Sequence, residues 1–298
     1  MHASLKRPRS RRSGFTLVEL LIAISIIALL IGLLLPAINA VRRNATIRQV
    51  VTDIDSLQAG LADFNANYGE YPPSRITLYK DAAGWNSDPR SRAIIRRFFP
   101  QFNFATDGSG TSLTFSAAWP MGATSVTLDG PECLVFFLGG VRDTDGTYIG
   151  FSKNPSQPFS RTGESRTGPF FVFDMTRLSD ADGDGLPEYR DPIAGQSQPY
   201  LYLSSYDGQG YNNFDLDKDG DPMTNAATDK WMTNIYTQGS STTSFFKPKT
   251  FQIISPGFDG EHGTGGPYDP ASPDTTLTGS RDNERDNITN FASGVLAP

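Results

Sequence analysis

The residues with the plainest chemical capacity in this chain are Asp180-Ala181-Asp182-Gly183-Asp184-Gly185, followed by Glu188 and Asp191. Counted from Asp180, carboxylates fall at positions one, three and five, glycine at six and Asp191 at twelve. That is the first half of an EF-hand-type calcium loop, with Asp where Glu is usual at the last position. Hard oxygens at two-residue intervals suit calcium, and the segment offers no nitrogen or sulfur donor for zinc. Asp215-Leu216-Asp217-Lys218-Asp219-Gly220-Asp221 repeats the spacing without a ligand at twelve. Both segments also read as solvated Asx turns, which use the same residues.

Other site chemistries have little material to draw on. Cys133 is the only cysteine, so no intramolecular disulfide can form, and its apolar setting, ECLVFFLGG, reads as a small buried hydrophobe. The histidines are His2, among basic residues, and His262, in a glycine-rich loop where an exposed residue is expected. A Ser/His/Asp or Cys/His nucleophilic site would have to be built from these few groups. Carboxylate pairs of the glycosidase kind are plentiful, but nothing in the sequence places one in a cleft. The expectation is a protein that is not an enzyme.

The elements that must position these loops begin with an apolar run. From Phe15 to Leu35 there are 21 residues carrying one charge, Glu19, and Pro36 closes the run. As a helix at about 1.5 Å per residue it reaches roughly 30 Å, enough to cross the hydrocarbon core of a bilayer. Lys6, Arg7, Arg9, Arg11 and Arg12 precede it with no acid among them. The positive-inside rule therefore keeps the N-terminus in the cytoplasm and sends the rest outside. An ordinary secretory signal would be shorter and end in a small-x-small site, whereas Ile38-Asn39-Ala40 presents a bulky Ile. A carboxylate inside such a helix costs on the order of 3 kcal/mol on insertion scales. Glu19 must then find a partner or snorkel to the headgroups.

Gly14-Phe15-Thr16-Leu17-Val18-Glu19, behind its basic leader, resembles the processing site of type IV pilins and type II secretion pseudopilins. The resemblance implies cleavage between Gly14 and Phe15 by a prepilin peptidase on the cytoplasmic side, and methylation of the new N-terminal Phe15. It also implies that Glu19, fifth from Phe15, meets the N-terminal amine of a neighbouring subunit in a filament.

Beyond Pro36 the helical pattern continues. Ile47, Val50, Ile54, Leu57, Leu61, Phe64 and Tyr68 follow at alternating steps of three and four, which lays them along one helix face. The spacing predicts one helix over about 15–67, kinked at Pro36 and stopped at Asn67-Tyr68-Gly69, with its second half packed on a globular domain. Further on, Arg90 to Pro100 reads as a short basic amphipathic helix, and Leu113 to Phe115, Ser125 to Leu128 and Thr147 to Phe151 as short strands. Leu134 to Leu138 is compatible with helix or strand. Phe170 to Phe173, Tyr200 to Leu203 and Phe251 to Ile254 read as stronger strands. Glycine and proline account for 29 and 21 residues, which predicts many turns and long loops. Removing residues 1–14 takes five of 26 basic residues and none of 32 acidic ones, leaving a net charge near −11. Nucleic acid, which demands a basic face, is not an expected partner.

Three C-terminal segments, Pro199 to Tyr202, Phe251 to Gly260 and Asp286 to Phe291, resemble in order the C-terminal sheet of major pseudopilins of type II secretion. There the loop after a serine-x-glycine-x-aspartate segment binds calcium, which implies Asp259 and Asp286 as ligands here, with Asp282 as a neighbour. The expected fold is α+β: a long N-terminal helix on a small antiparallel sheet, with a loop-rich insertion. The segments are a leader (1–14), a membrane or filament-core helix (15–36), its continuation and turn (37–73), a variable insertion (74–198) and the sheet with its calcium loop (199–298). The expected function is structural, as a subunit of a pseudopilus or related pilus. Its implied partners are the prepilin peptidase, other copies and other pseudopilins, the secretion machinery and the bacterial inner membrane, with the C-terminal domain periplasmic. The alternative is a membrane-anchored extracytoplasmic protein that keeps the pilin leader and binds glycan or cargo through the insertion.

Overall fold

The computed structural model describes residues 16–109, 124–163, 165–218 and 230–297. Helix α1 (Leu17–Tyr68) continues without interruption through Pro36. The chain divides into two compact units, Met1–Ala45 and Thr46–Pro298. In the first, the large apolar side chains from Leu17 to Leu35 are at least half exposed, between 50% for Ile31 and 79% for Leu17. An apolar surface of that extent is unfavourable in water, and by length and composition the segment suits a membrane crossing.

In the second unit the remainder of α1 buries the stripe that its spacing predicts. Val50, Ile54, Leu57, Leu61 and Phe64 are at most 2% exposed, with Ile47 and Tyr68 half-buried at either end. Each such side chain contributes about 1.5–3 kcal/mol of burial free energy. One polar residue beside the stripe also docks the helix. Asp53 takes a two-pronged ion pair from Arg177 and a hydrogen bond from the Tyr200 hydroxyl at 2.7 Å. The helix stops where Gly69 adopts φ +85°, its amide closing on the Asn65 carbonyl at 2.7 Å. A left-handed residue directly after the last turn is the usual role of glycine.

Strand β1 (Ile76–Tyr79) leads to helices α2 (Ala82–Ser87) and α3 (Pro89–Phe98). Asp88 caps α3, accepting from the Arg90 and Ser91 amides at 3.0 Å, and Pro89 sits where its missing amide proton costs nothing. Strand β2 (Ser125–Leu128) pairs antiparallel with β1, and helix α4 (Gly130–Gly139) follows. The run Leu134 to Leu138 is thus helical, and every residue of α4 is buried. A reciprocal capping box sets its start: the Glu132 amide donates to Asp129 Oδ1 at 3.1 Å and the Asp129 amide to Glu132 Oε2 at 2.8 Å. Gly130 lets this helix end press on the sheet, since a Cβ there would run into the Tyr202 carbonyl oxygen. Cys133 is fully buried in α4, as its apolar setting implies.

Two short hairpin pairs come next, β3 (Phe151–Ser152) with β4 (Arg166–Thr167) and β5 (Leu178–Ser179) with β6 (Glu188–Tyr189). Phe170 to Phe173 is not a strand. Its three phenylalanines serve as side-chain fillers instead: Phe170 packs edge-on against Phe64 at 5.4 Å, while Phe171 and Phe173 pack on Tyr189 and Val172 stays exposed. The Phe170 amide is taken by the Leu138 carbonyl at the end of α4, so no ladder partner is needed. Of Thr147 to Phe151, only Phe151 lies in a named strand, and Leu113 to Phe115 lies outside the described residues.

The central sheet is antiparallel, in the order β11 (Ile288–Thr289), β9 (Phe251–Ser255), β7 (Leu201–Ser204). Ile254 stands opposite both Leu201 and Thr289. These are the three C-terminal segments picked out in the sequence, so the fold is α+β with a small antiparallel sheet. A parallel pair, β8 (Thr237–Gln238) and β10 (Pro267–Tyr268), and helix α5 (Pro273–Thr276) complete the unit. Residues 74–198 share the core: Phe137 and Leu138 of α4 belong to the same buried cluster as Leu57, Tyr202 and Ile253.

Candidate functional site

The acidic loop of residues 180–187 joins β5 to β6, and its geometry follows from that hairpin. Leu178 pairs with Tyr189 and Ser179 with Glu188, so Glu188 is brought back beside Asp180. Within the loop, Asp180 Oδ1 accepts from the Gly183 amide at 2.7 Å and Oδ2 from the Gly185 amide at 3.1 Å. Asp184 Oδ1 accepts from the Leu186 amide at 2.8 Å, and both oxygens of Glu188 accept from the Ala181 amide at 2.9 and 3.1 Å. Carboxylate oxygens of Asp180, Asp182 and Glu188 lie within 4.8 Å of one another. So do those of Asp182 and Asp184 with Glu132, which α4 supplies from below.

Burial, with repulsion from neighbouring carboxylates, raises the pKa values of Asp182, Asp184, Glu188 and Glu132. Burial first and the Asp184 charge next push Asp182 up to about 6; burial pushes Glu188 up to about 8 and Glu132 well above its ordinary value. Among the described residues the ion pairs go to other carboxylates, none of them in this cluster.

Asp191, the twelfth position, stands apart from that cluster. It accepts from Ser255 Oγ at 2.6 Å, Gln196 Nε2 at 3.1 Å and the Ile193 amide at 2.9 Å, tying the segment to β9. An EF-hand loop leads into a helix that swings position twelve back onto the ion, whereas here β6 extends the chain and carries Asp191 away. The second acidic segment is committed to protein partners. Asp215 accepts from Ser74 Oγ at 2.7 Å and from the Tyr206 hydroxyl, and Asp217 pairs with Lys230 at 3.1 Å. Asp219 and Asp221 lie outside the described residues.

The C-terminal loop brings Asp259 and Asp286 near each other. Asp286 Oδ2 accepts from the Phe258 amide at 2.7 Å, and the Asp286 charge is among the causes, after burial, that raise the Asp259 pKa. Asp282 is exposed on the 3-10 turn Gly279–Asp286. The group that organises this loop is Glu284, which the sequence reading did not single out. One oxygen accepts from the Thr264 amide (2.9 Å), the Thr264 hydroxyl (2.8 Å), the Gly265 amide (3.0 Å) and Arg281 Nε (2.9 Å). The other accepts from the Tyr236 hydroxyl at 2.8 Å and Arg281 at 2.6 Å.

His262 is buried in this loop rather than exposed. Its Nε2 lies 3.0 Å from the Pro199 carbonyl and its ring packs edge-on to Trp231. Loop glycines with positive φ, Gly260, Gly263 and Gly265, fold the segment inward and carry the imidazole with it.

At the N-terminal end of α1 Thr16 and Glu19 form a closed pair. The Thr16 amide and hydroxyl both donate to Glu19 Oε2 at 2.8 Å, and the Glu19 amide donates to Thr16 Oγ1 at 3.2 Å. Gly14 and Phe15 lie outside the described residues.

The prokaryotic N-terminal methylation motif matches residues 9–35, which includes Gly14, Phe15 and Glu19. The type II secretion system core protein G of Klebsiella pneumoniae is 28% identical over 102 residues, 33% of this chain and 72% of that protein. Together these two matches support a type IV pilin/pseudopilin family member. No solved structure matches it. The apolar helix and the methylation motif fit an inner-membrane-anchored, pseudopilus-associated protein. The family is one of structural subunits that are typically not enzymes.

Two residues that sequence reasoning missed, Glu132 and Glu284, do their work across long sequence separations, while Glu188, named with the acidic loop, is brought to it across a hairpin. The Asp129-x-x-Glu132 spacing announces a capping box, but nothing local reveals which loop Glu132 faces. For His262 the burial has a measurable consequence. Burial lowers its pKa from 6.5 to about 4, against the Pro199 hydrogen bond, which raises it. The folded state then binds fewer protons than the unfolded state between those values, so stability falls as pH drops from about 6.5 towards 4, by roughly 3 kcal/mol at most. Denaturant melts across that range should show the loss in the wild type and not in His262→Gln, the difference between the two cancelling the other titrating groups.

Proposed function

We propose that this chain is a structural subunit of a type II secretion pseudopilus or a related pilus-like filament, processed between Gly14 and Phe15 and taking part in protein secretion. The observation that carries the reading is the match of residues 9–35 to the N-terminal methylation motif, on a helix whose second half packs against a globular unit. The five basic residues before Gly14 support a cytoplasmic leader and a periplasmic C-terminal unit. The prepilin peptidase would remove the leader, and self-assembly with other pseudopilins would gather the apolar helices into a filament core.

Intact-mass analysis of the mature protein tests processing directly. The expected product begins at Phe15 and carries one added methyl group, and a bulky residue at Gly14 leaves the leader attached. A mature chain beginning near Val41 would instead identify an ordinary export signal. Electron microscopy of sheared surface fractions, probed for this chain, should place it in fibres.

A further inference from the structure

Glu132 presents a problem that its own helix does not solve. The side chain is 1% exposed; Oε2 is used by the capping box, and Oε1 has no hydrogen-bond partner. A buried carboxylate oxygen without a partner is costly, by several kcal/mol for a charged group. Glu132 is also aimed at more negative charge, since its carboxylate lies within 4.8 Å of ligand oxygens on Asp182 and Asp184. Asp182 is shared with a second group of oxygens, on Asp180 and Glu188, of the same spread.

Calcium binds six to eight oxygens at 2.3–2.6 Å, so carboxylate oxygens that all lie within 4.8 Å of one another can share a single ion. The geometry points to a calcium site centred on Asp182, with Asp180, Asp184 and Glu188 from the β5–β6 loop and Glu132 from the first turn of α4. This site differs from the EF-hand numbering in its ligands: position nine and a residue 48 positions upstream of Asp180 take the place of position twelve. It shares no residue with the Asp259 and Asp286 pair. Five carboxylates with no nitrogen or sulfur donor favour a hard cation over zinc. An irregular loop of alternating ligands also suits calcium better than the strict octahedron of magnesium.

Its structural effect follows from where Glu132 sits. The ion would tether an otherwise exposed loop to the capped end of α4, which packs against β7 and β6 in the core. The competing account of the same geometry is a shared proton, with Glu132 and Asp184 as a carboxyl–carboxylate pair. The two accounts differ in what a neutral isostere does. Glutamine at 132 still accepts the Asp129 amide and so keeps the capping box, but loses the charge that holds a cation.

The test uses the full-length chain in detergent, with calcium chloride alone as the probe. Titration calorimetry should give calcium binding with Kd of about 0.1–1 mM, the range of extracellular calcium modules. At 2 mM calcium the wild type should melt about 2–5 °C above the same protein in chelator. Glu132→Gln and Asp182→Asn should each weaken binding at least tenfold and abolish that shift. In chelator Glu132→Gln should melt at or above the wild-type temperature, because a buried unpaired charge is gone. Asp259→Ala should leave this binding in place. The proposal is overturned if the wild type binds no calcium at 10 mM. It is equally overturned if Glu132→Gln keeps wild-type affinity, if Asp259→Ala alone removes all binding, or if Glu132→Gln lowers the melting temperature equally with calcium and with chelator.

Discussion

Glu19→Gln is expected to abolish or disorder fibres while leaving the unit Thr46–Pro298 folded. The substitution separates the capping role seen in the structure from the filament role proposed for the same side chain. Glu19 closes a capping box with Thr16, accepting from its amide and hydroxyl, and glutamine serves in that box nearly as well. The helix start is therefore retained in the variant, and only the charge is removed. A charge inside an apolar helix costs about 3 kcal/mol and is kept where it has a partner. In a filament whose subunits meet head to tail, the amine of a processed neighbour is a partner of the right sign. Thr16→Val is the complementary control: it loses the hydroxyl of the cap, about 1 kcal/mol of helix stability, and should still give fibres. Wild-type fibres from Glu19→Gln in electron micrographs would leave Glu19 with its capping role alone.

Glu284→Ala should lower stability by about 3–5 kcal/mol, the usual cost of removing one partner from a buried ion pair. Glu284 is fully buried and Arg281 partly so, and the substitution would strand the Arg281 guanidinium, the Tyr236 hydroxyl and the Thr264 and Gly265 amides together. In thermal denaturation the loss corresponds to roughly 10 °C for a unit of this size. Hydrogen exchange should rise first in residues 264–284, which this carboxylate ties together. The pH dependence has a definite sign. Burial alone would raise the Glu284 pKa, but hydrogen bonds from Arg281 and Thr264 outweigh it and leave it below the ordinary 4.5. Its contribution is thus present above that value and lost as pH falls through the lower native one. Beside its two neighbouring aspartates, this glycine-rich loop has a protein clasp of its own, the Arg281–Glu284 pair. Asp259→Ala, on an exposed side chain, should cost far less than Glu284→Ala.

What the sequence determined by itself is whatever repeats or ends locally. The apolar run with its single Glu19 needs no partner to be recognised, because length and hydropathy alone decide whether a helix can span lipid. The stripe from Ile47 to Tyr68 carries its own period and is buried as that period requires. Gly69 ends α1 for a reason confined to one φ angle. The three strands of the sheet were visible for the same reason, as apolar segments between turn residues. Phe170 to Phe173 shows the limit of that logic, since four apolar residues in a row say nothing of whether a ladder partner exists. The Leu138 carbonyl took the Phe170 amide and left the rings to fill the core. Tertiary structure also decided which carboxylates meet. Asp191 was drawn to Ser255 and Gln196, Glu188 was returned by its hairpin, and Glu132 and Glu284 were buried against groups far away in the chain. The physical reason is range. Helix period and turn geometry are set by neighbours within a few residues, whereas the energy of a buried charge depends on what surrounds it in space, and only the folded chain supplies that.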